Sequence, residues 1–146
     1  MRTRLVADMG AITLRDARRL EVLHWATFGD SAEWNPEADA YAWWIVGELT
    51  HPAAFASAYV GIGQQSDKVC MFSRCGVLAP FRGQGLQRQL IRARLRWGAR
   101  KGCSRAVTYT IDNTHSEANL RRCGFLPYRP KDLYAGRSAN YWQADL

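Results

Sequence analysis

The feature that most constrains the fold of this chain is an apolar strand end that runs through a glycine-rich turn directly into an amphipathic helix. The segment is residues 77–90, VLAPFRGQGLQRQL, and its turn is Arg82-Gly83-Gln84-Gly85. Glycine lets a backbone approach a ligand closely, and the first N–H groups of a helix have no partner within the helix. These groups and the positive end of the helix dipole attract phosphates. The segment therefore predicts a strand–turn–helix unit that is either a plain turn or a phosphate site.

A second motif follows in residues 112–125, which read DNTHSEANLRRCGF and stand between two strand-like runs. It begins with Asn113-x-x-Ser116 and ends with Gly124-Phe125. Arg-Gly-x-Gly at the start of a helix, followed by Asn-x-x-Ser and Gly-Phe, resembles the GNAT superfamily of acyl-CoA-dependent N-acyltransferases. The resemblance covers residues 69–125 and is diffuse elsewhere. It rests on both motifs together, in this order and at this separation.

The resemblance implies that the glycine turn holds the pyrophosphate of acetyl-CoA, the acyl donor. The residues that it assigns to this cofactor are Val77, Leu78, Arg82, Gly83, Gln84, Gly85, Leu86, Gln87, Arg88, Asn113 and Asn119. Arg82 or Arg88 would add charge, and the backbone N–H of Val77 or Leu78 would stabilise an oxyanion. Gln87 departs from the family pattern, which has a small residue at this position. Its side chain either crowds the phosphates or donates to them.

The catalytic prediction rests on Ser116. Many GNAT proteins carry, at the position of Leu120, a tyrosine that protonates the departing thiolate, and leucine cannot do this. The Asn-x-x-Ser and Gly-Phe pattern resembles the subgroup that modifies protein N-termini, in which the serine lies near the sulfur. We therefore expect Ser116 to be the hydrogen-bond donor or proton source; the alternative is a polar residue in the first turn of a short helix.

The general base is left unassigned by the sequence. Lys68, Val69 and Cys70 stand where many relatives have a glutamate early in the strand. The candidates are Glu33, Glu48, Asp67 and Asp112. Each of these acids is also explained as a solvated surface group or a helix cap.

Periodicity and capping signals predict a mixed α/β order. Helices are expected over residues 14–28, from Pro36, over 86–100 and over 114–124, and strands over 42–49, 53–62, 69–78, 105–111, from Phe125, and over 139–145 as a final edge strand. With the resemblance, this order implies a GNAT-like, mostly antiparallel sheet of six to seven strands with a central parallel pair and about four helices. Residues 69–111 should form a right-handed crossover. Gly76 predicts a β-bulge, and Thr114 with Glu117 predicts a capping box.

Composition is that of an ordinary globular domain. The 146 residues suit a single domain spanning 1–146, with 47% hydrophobic residues and no apolar run of membrane-spanning length. The N-terminal sequence MRTRL has no apolar segment behind it, so we expect no signal peptide, a cytoplasmic location and no membrane partner. Four cysteines without Cys-x-x-Cys spacing and three dispersed histidines predict buried thiols and no metal site.

The formal net charge of +7 comes mostly from arginine. A planar guanidinium binds phosphate at two points, so arginine suits a phosphate ligand. Arg88, Arg92, Arg96 and Arg100 form a basic stripe, which is either screened by solvent or covered by an acidic partner. The acids and aromatics within residues 33–44 favour either an entrance for a cationic amine or simple core packing.

These observations favour an N-acetyltransferase that moves an acetyl group from acetyl-CoA to a primary amine by direct attack in a ternary complex. The acceptor is a small molecule or a peptide, and a homodimer is left open. A non-catalytic acyl-CoA-binding or regulatory module is the alternative, motivated by Leu120 and the missing glutamate. A basic nucleic-acid-binding domain ranks last, because no aromatic platform accompanies the arginine stripe.

Overall fold

In a computed structural model, the chain forms one seven-stranded sheet with helices packed on it. The structure describes residues 1–7, 18, 20–22, 26, 42–48, 50–61 and 68–146. The strands are β1 (Thr3–Ala7), β2 (Ala42–Glu48), β3 (His51–Val60), β4 (Val69–Val77), β5 (Arg105–Thr110), β6 (Leu126–Tyr128) and β7 (Asn140–Asp145). The elements called here the long helix (Leu86–Arg100) and the short helix (Thr114–Arg122) follow β4 and β5. In space the strands are ordered β1-β2-β3-β4-β5-β7-β6.

The pairing of these strands confirms the predicted fold class. β4 and β5 are parallel, joined by the long helix, and the other neighbouring strands are antiparallel. Residues 18, 20–22 and 26 are helical, within the first predicted helix. The rest of that helix and the helix predicted from Pro36 lie outside the described residues. The observed elements therefore form a GNAT-like mixed sheet.

The parallel pair is short, and this creates the central feature of the fold. Ladder pairs join Val69, Cys70 and Met71 of β4 to Arg105, Ala106 and Val107 of β5. Beyond them the two strands pair with β3 and β7 on their outer sides but not with each other. The strands thus diverge toward the ends from which the two helices begin, and we call the opening between them the gap.

The long helix has the predicted bounds because one face is continuously apolar. Leu86, Leu90, Ile91 and Trp97 are buried on that face, and the Trp97 ring meets Trp44 of β2 edge to face at 5.5 Å. Gly98 brings the helix close to the sheet, since a Cβ there would lie 3.1 Å from Cβ of Cys70. This packing fixes the start of the helix at the end of β4.

One strand was not predicted, and the place of another was predicted wrongly. No strand was expected at residues 3–7, yet β1 pairs with β2. The last strand was expected at the sheet edge, yet β7 lies between β5 and β6. The three-residue β6 forms that edge instead, since Tyr128 pairs with Tyr141 on the outer side of β7.

The bulge predicted at Gly76 is also misplaced. Gly76 pairs in register with Phe55, whereas Ala56 pairs with Cys75 and Ala58 with Phe72. Ser73 and Arg74 of β4 therefore both stand opposite Ser57 of β3. An extra residue bends the strand that carries it. The bend falls just where β4 departs from β5.

Candidate active site

The glycine turn leaves the start of the long helix open. Gly83 and Gly85 have φ angles of +79° and +76°, which favour glycine over residues with a side chain. Gly85 occupies the N-cap position and offers no side-chain cap, and the first intrahelical bond runs from Gln89 N to Gly85 O. The N–H groups of residues 86–88 therefore lack intrahelical partners, as expected at a helix start.

A cavity of about 650 Å³ lies in front of this turn, bounded by the end of β4, the long helix and the short helix. We call it the helix-end cavity. The predicted cofactor residues that line it are Val77, Arg82, Gly83, Gly85, Leu86, Gln87, Arg88, Asn113 and Asn119, and Ser116 lines it too. Arg122 adds a third guanidinium to those of Arg82 and Arg88. The cavity thus combines open helix N–H groups with three cations, which suits a polyphosphate.

Two predicted cofactor residues do not line this cavity. The N–H of Leu78 donates to Ala53 O at 2.9 Å, and its side chain packs beside the core cluster that contains Phe55. Leu78 is therefore not free to stabilise an oxyanion, which corrects that prediction. Gln84 is exposed and is not part of the lining. Because N–H groups alternate along an antiparallel strand, the N–H of Val77 points from β3 toward the gap.

Gln87 forms a bridge across the helix-end cavity. Its Nε2 donates to Ser116 Oγ at 2.8 Å, and its Oε1 accepts from Asn119 Nδ2 at 2.7 Å. The side chain thus joins the start of the long helix to the short helix. Ser116 Oγ accepts a hydrogen bond in this arrangement, so its own O–H remains available to donate to another group. Gln87, which stands where the family pattern has a small residue, therefore orients Ser116.

Asn113 directly precedes the short helix, and its side chain holds the backbone N–H of Ser116. Its side-chain oxygen accepts from Ser116 N at 3.0 Å, which makes Asn113 the N-cap. The capping box predicted for Thr114 and Glu117 is therefore wrong. Glu117 Oε1 accepts instead from Thr110 Oγ1 at 3.0 Å and from Asn140, which fixes the short helix to β5 and β7.

A second cavity, of about 440 Å³, passes through the gap between β4 and β5; we call it the gap cavity. Thr108 Oγ1 of β5 spans the gap by donating to Phe72 O at 3.3 Å. The residues that line both cavities are Cys75, Asn113 and Ser116. A molecule in one cavity would therefore meet a molecule in the other beside Ser116.

The titratable groups at this junction stay protonated. Burial raises the pKa of the Cys75 thiol, and the Arg94 guanidinium partly opposes this. Burial also raises the pKa of Tyr134 in the gap cavity, and the hydroxyl of Tyr128 adds to the effect. Both groups can donate a hydrogen bond at neutral pH, and neither is a base there.

The predicted base candidates lie elsewhere. Glu48 pairs with Arg4 at 3.2 Å at the far side of the sheet, and the exposed Asp112 lines neither cavity. Glu33 and Asp67 fall outside the described residues. Among the described residues, no carboxylate lines either cavity. Leu120 is buried in the core, so it takes no part in the site.

The burial of the aromatic and cysteine residues answers questions that the sequence left open. Trp43 and Trp44 are buried in the core, while the other acids and aromatics of residues 33–41 lie outside the described part of the chain. All four cysteines are free; Cys70 and Cys103 are buried, and Cys75 and Cys123 are partly buried. The prediction of buried thiols is confirmed for Cys70 and Cys103 but not for the other two, and Cys75 is the cysteine that reaches both cavities.

Sequence reasoning missed Arg122 and His115, which line the helix-end cavity. Arg122 ends the short helix, and His115 lies beside Asn119, with 3.5 Å between its Nε2 and Nδ2 of Asn119. The only sequence signal for Arg122 was a basic residue two positions before the Gly-Phe segment. Its direction into the cavity follows from how the two helices pack.

The sequence matches the family model of the Acetyltransferase (GNAT) family over residues 12–125. The chain belongs to this family. No functionally curated protein matches the sequence. Within the described residues, no helix combines the length and the apolar character needed to cross a membrane.

Solved GNAT structures share the fold at low sequence identity. The ribosomal-protein-S18-alanine N-acetyltransferase of Escherichia coli has a TM-score of 0.72 at 14% identity, covering 99% of this chain and 94% of that one. The IAA acetyltransferase of Bacillus cereus has a TM-score of 0.72 at 12% identity, covering 99% of each chain. A Bacillus subtilis acetyltransferase in complex with CoA has a TM-score of 0.70 at 14% identity, covering 99% of this chain and 98% of that one. These similarities show the GNAT fold.

Proposed function

We propose that this GNAT protein transfers an acetyl group from acetyl-CoA to a primary amine by direct attack in a ternary complex. One observation carries the proposal: two cavities meet at the gap and share Cys75, Asn113 and Ser116 in their linings. The helix-end cavity has the charge and open N–H groups for the donor. The gap cavity is left for the acceptor.

The chain's own groups fit the phosphates of the donor. The open N–H groups of residues 86–88 would donate to the pyrophosphate, and Arg82, Arg88 and Arg122 line the same cavity. Gln87 would not crowd the phosphates, because its amide is directed at Ser116 and Asn119. The likeness to an acetyltransferase solved with CoA supports this assignment.

Two groups at the gap would act on the thioester. The N–H of Val77 would donate to the carbonyl oxygen as negative charge develops there. The O–H of Ser116 would donate to the sulfur as it leaves, since Ser116 Oγ already accepts from Gln87. Ser116 is therefore the proposed catalytic residue, and Gln87 and Asn113 are positioning residues.

Between heavy atoms, the reaction forms one bond and breaks one. The amine nitrogen, in its neutral form, bonds to the acetyl carbon, and the bond from that carbon to sulfur breaks. The amine loses one proton to water, and the leaving sulfur takes one from the Ser116 O–H, which water then replaces, so that free CoA thiol is released. No carboxylate of the described residues lines the cavities to accept the amine proton, so water is the proposed carrier.

The lack of a carboxylate among the described residues that line the cavities also favours a second candidate, a module that binds acyl-CoA without turnover. Leu120 is buried where many relatives have a catalytic tyrosine, which points in the same direction. The two functions differ in one measurable quantity, the release of free thiol from acetyl-CoA in the presence of an amine.

Calorimetry with acetyl-CoA and a thiol-release assay with a panel of amines test the proposal. We expect binding in the micromolar range, with thiol release that depends on the amine and an N-acetylated product in the mass spectrum. Binding without release would favour the non-catalytic module. Absence of binding at millimolar acetyl-CoA would refute both functions.

A further inference from the structure

The long helix carries an arginine in a position where the packing calls for an apolar residue. Arg94 is 3% exposed, and its neighbours along the buried helix face include Leu90, Ile91 and Trp97. Its guanidinium carbon lies 4.2 Å from the centroid of the Phe72 ring. Arginine is rarely buried to this extent without a partner of opposite charge.

The described partners of Arg94 are neutral. Its Nε donates to Leu90 O at 3.2 Å and its Nη1 to Ser57 O at 3.3 Å, and the Cys75 thiol lies within hydrogen-bonding reach. Glu48 pairs with Arg4 at the far side of the sheet, away from Arg94. Removing a guanidinium from water is costly, and these neutral acceptors repay only part of that cost.

Arg94 lines the gap cavity, as does Arg74. The rest of the lining includes hydroxyl groups on Ser73, Thr108 and Thr110, aromatic rings and a few apolar side chains, and none of the described lining residues is acidic. Hydroxyl and guanidinium groups bind anions well. The buried charge of Arg94 therefore faces a cavity that suits an anion, within reach of the junction at Ser116.

We propose that the gap cavity binds acceptor amines that also carry a carboxylate, such as free amino acids, and that Arg94 binds this carboxylate. The inference rests on the proposed acetyl transfer and names the substrate class of the same site. An ion pair formed in a cavity with little access to water is strong when its geometry is bidentate. The ligand would then supply the counter-charge that the described residues do not.

The same contact would position the acceptor for reaction. Binding the carboxylate end of the acceptor holds its amine end in place for attack.

The test compares free amino acids with their amides, which keep the amine and remove the negative charge. Glycine, leucine and phenylalanine, each as acid and amide, are offered with acetyl-CoA, and kcat/KM is measured by thiol release. We expect each acid to exceed its amide by at least about tenfold. In Arg94→Met this preference should vanish because kcat/KM falls for the acids and stays the same for the amides. Arg94→Lys should keep part of the preference.

Arg96→Met is the matched control, since Arg96 is exposed on the same helix and lines neither cavity. It should retain the wild-type preference. If Arg94→Met fails to fold, the acid-to-amide ratios of the wild type and of Arg94→Lys decide. Equal use of acids and amides by the wild type overturns the inference. So does an equal fall for acids and amides in Arg94→Met, which would mean that Arg94 acts on the thioester or the fold.

A binding measurement gives a readout that does not need turnover. Protein saturated with CoA is titrated with N-acetylphenylalanine and with N-acetylphenylalaninamide in a calorimeter. The acid should bind at least about tenfold more tightly than the amide, and Arg94→Met should remove the difference. Equal binding contradicts this inference alone, whereas failure to bind acetyl-CoA contradicts the proposed function.

Discussion

At the scale of single residues, the site depends on positions where backbone geometry and hydrogen bonding allow few amino acid types. Gly85 must adopt a positive φ to begin the long helix, and Gln87 must reach two side chains on another helix. Both residues belong to the glycine turn motif. Their neighbours Leu78 and Gln84 match the same motif and yet do not line the cavity.

Gly85→Asp should abolish acetyl-CoA binding. The new carboxylate would stand beside the open N–H groups and repel the pyrophosphate, and a Cβ at this position also approaches Arg88 Nη2 to 3.1 Å. Repulsion of a few kcal/mol at this range corresponds to a loss of about 100-fold or more in affinity. Calorimetry with acetyl-CoA measures the change.

Gly102→Asp is the control for this substitution. Gly102 has a φ of +83° at the other end of the same helix, and nothing lies within 4 Å of a Cβ there. The control therefore adds the same charge with comparable backbone strain, away from the cavity. Equal affinities of the two variants for acetyl-CoA would contradict the assigned phosphate site.

Ser116→Ala should lower kcat by about 100-fold and change the KM for acetyl-CoA little, because the hydroxyl acts on the departing sulfur. The short helix should keep its cap, since Asn113 accepts from the backbone N of Ser116. Steady-state kinetics measure the effect. Thr114→Ala removes a hydroxyl from the same turn, outside both cavities, and should keep the wild-type rate. A Ser116→Ala enzyme with normal kcat would exclude the proton-donor role.

At the scale of elements, local signals predicted the long helix and most strands closely. The long helix has the expected bounds because its apolar face and flanking glycines act locally. β1 escaped prediction because its stability comes from pairing with β2, which is distant in sequence. The edge position of β6 likewise depends on its pairing with the outer side of β7, and no local signal encodes this.

The arginine stripe of the long helix is an element-scale feature that the site uses only at one end. Arg88 lines the helix-end cavity, whereas Arg92, Arg96 and Arg100 are exposed. Like charges four residues apart repel by a few tenths of a kcal/mol. The stripe therefore costs stability where solvent alone covers it.

Replacing Arg92 and Arg96 by glutamine should raise the free energy of unfolding by about 0.5 kcal/mol, because it removes repulsion along the exposed face. Acetyl-CoA binding should stay unchanged, since neither residue lines the helix-end cavity. Urea unfolding at low and high salt measures the first effect, and the gain should shrink with salt. Salt-dependent DNA or RNA binding that the double variant loses would instead support the nucleic-acid reading.

At the scale of the whole molecule, the buried thiols connect stability to pH. Burial raises the pKa of the Cys70 thiol to about 12, from a model-compound value of 9.0. The native state therefore holds this proton more tightly than the unfolded state does. The contribution is complete below pH 9 and is lost as the pH rises toward 12, since only the unfolded chain ionises in that window.

The free energy of unfolding should fall between pH 7 and pH 10, with Cys70 contributing on the order of 1 kcal/mol. Urea titrations at a series of pH values measure the slope. Cys70→Ala should flatten it, even though the variant starts from lower stability because a buried group is truncated. An unchanged slope in this variant would show that the Cys70 thiol does not couple to folding.

The sequence by itself determined the family, the strand–turn–helix unit, the central crossover and the open glycine turn, because each is encoded by local signals in the chain. Helix caps, positive φ angles and apolar periodicity act within a few residues, so they can be read locally. Ser116 and Asn113 lie within such a segment, although Asn113 rather than Thr114 is the N-cap of the helix.

Only the tertiary structure decided how these segments meet. It showed that Gln87 orients Ser116 across two helices, that Arg122 joins the helix-end cavity, and that Arg94 lies buried beside the gap. The sequence shows Arg94 as one of many arginines on a helix. Its burial follows from the rotation of that helix on the sheet and from the bend of β4, which are set by contacts between residues far apart in the chain.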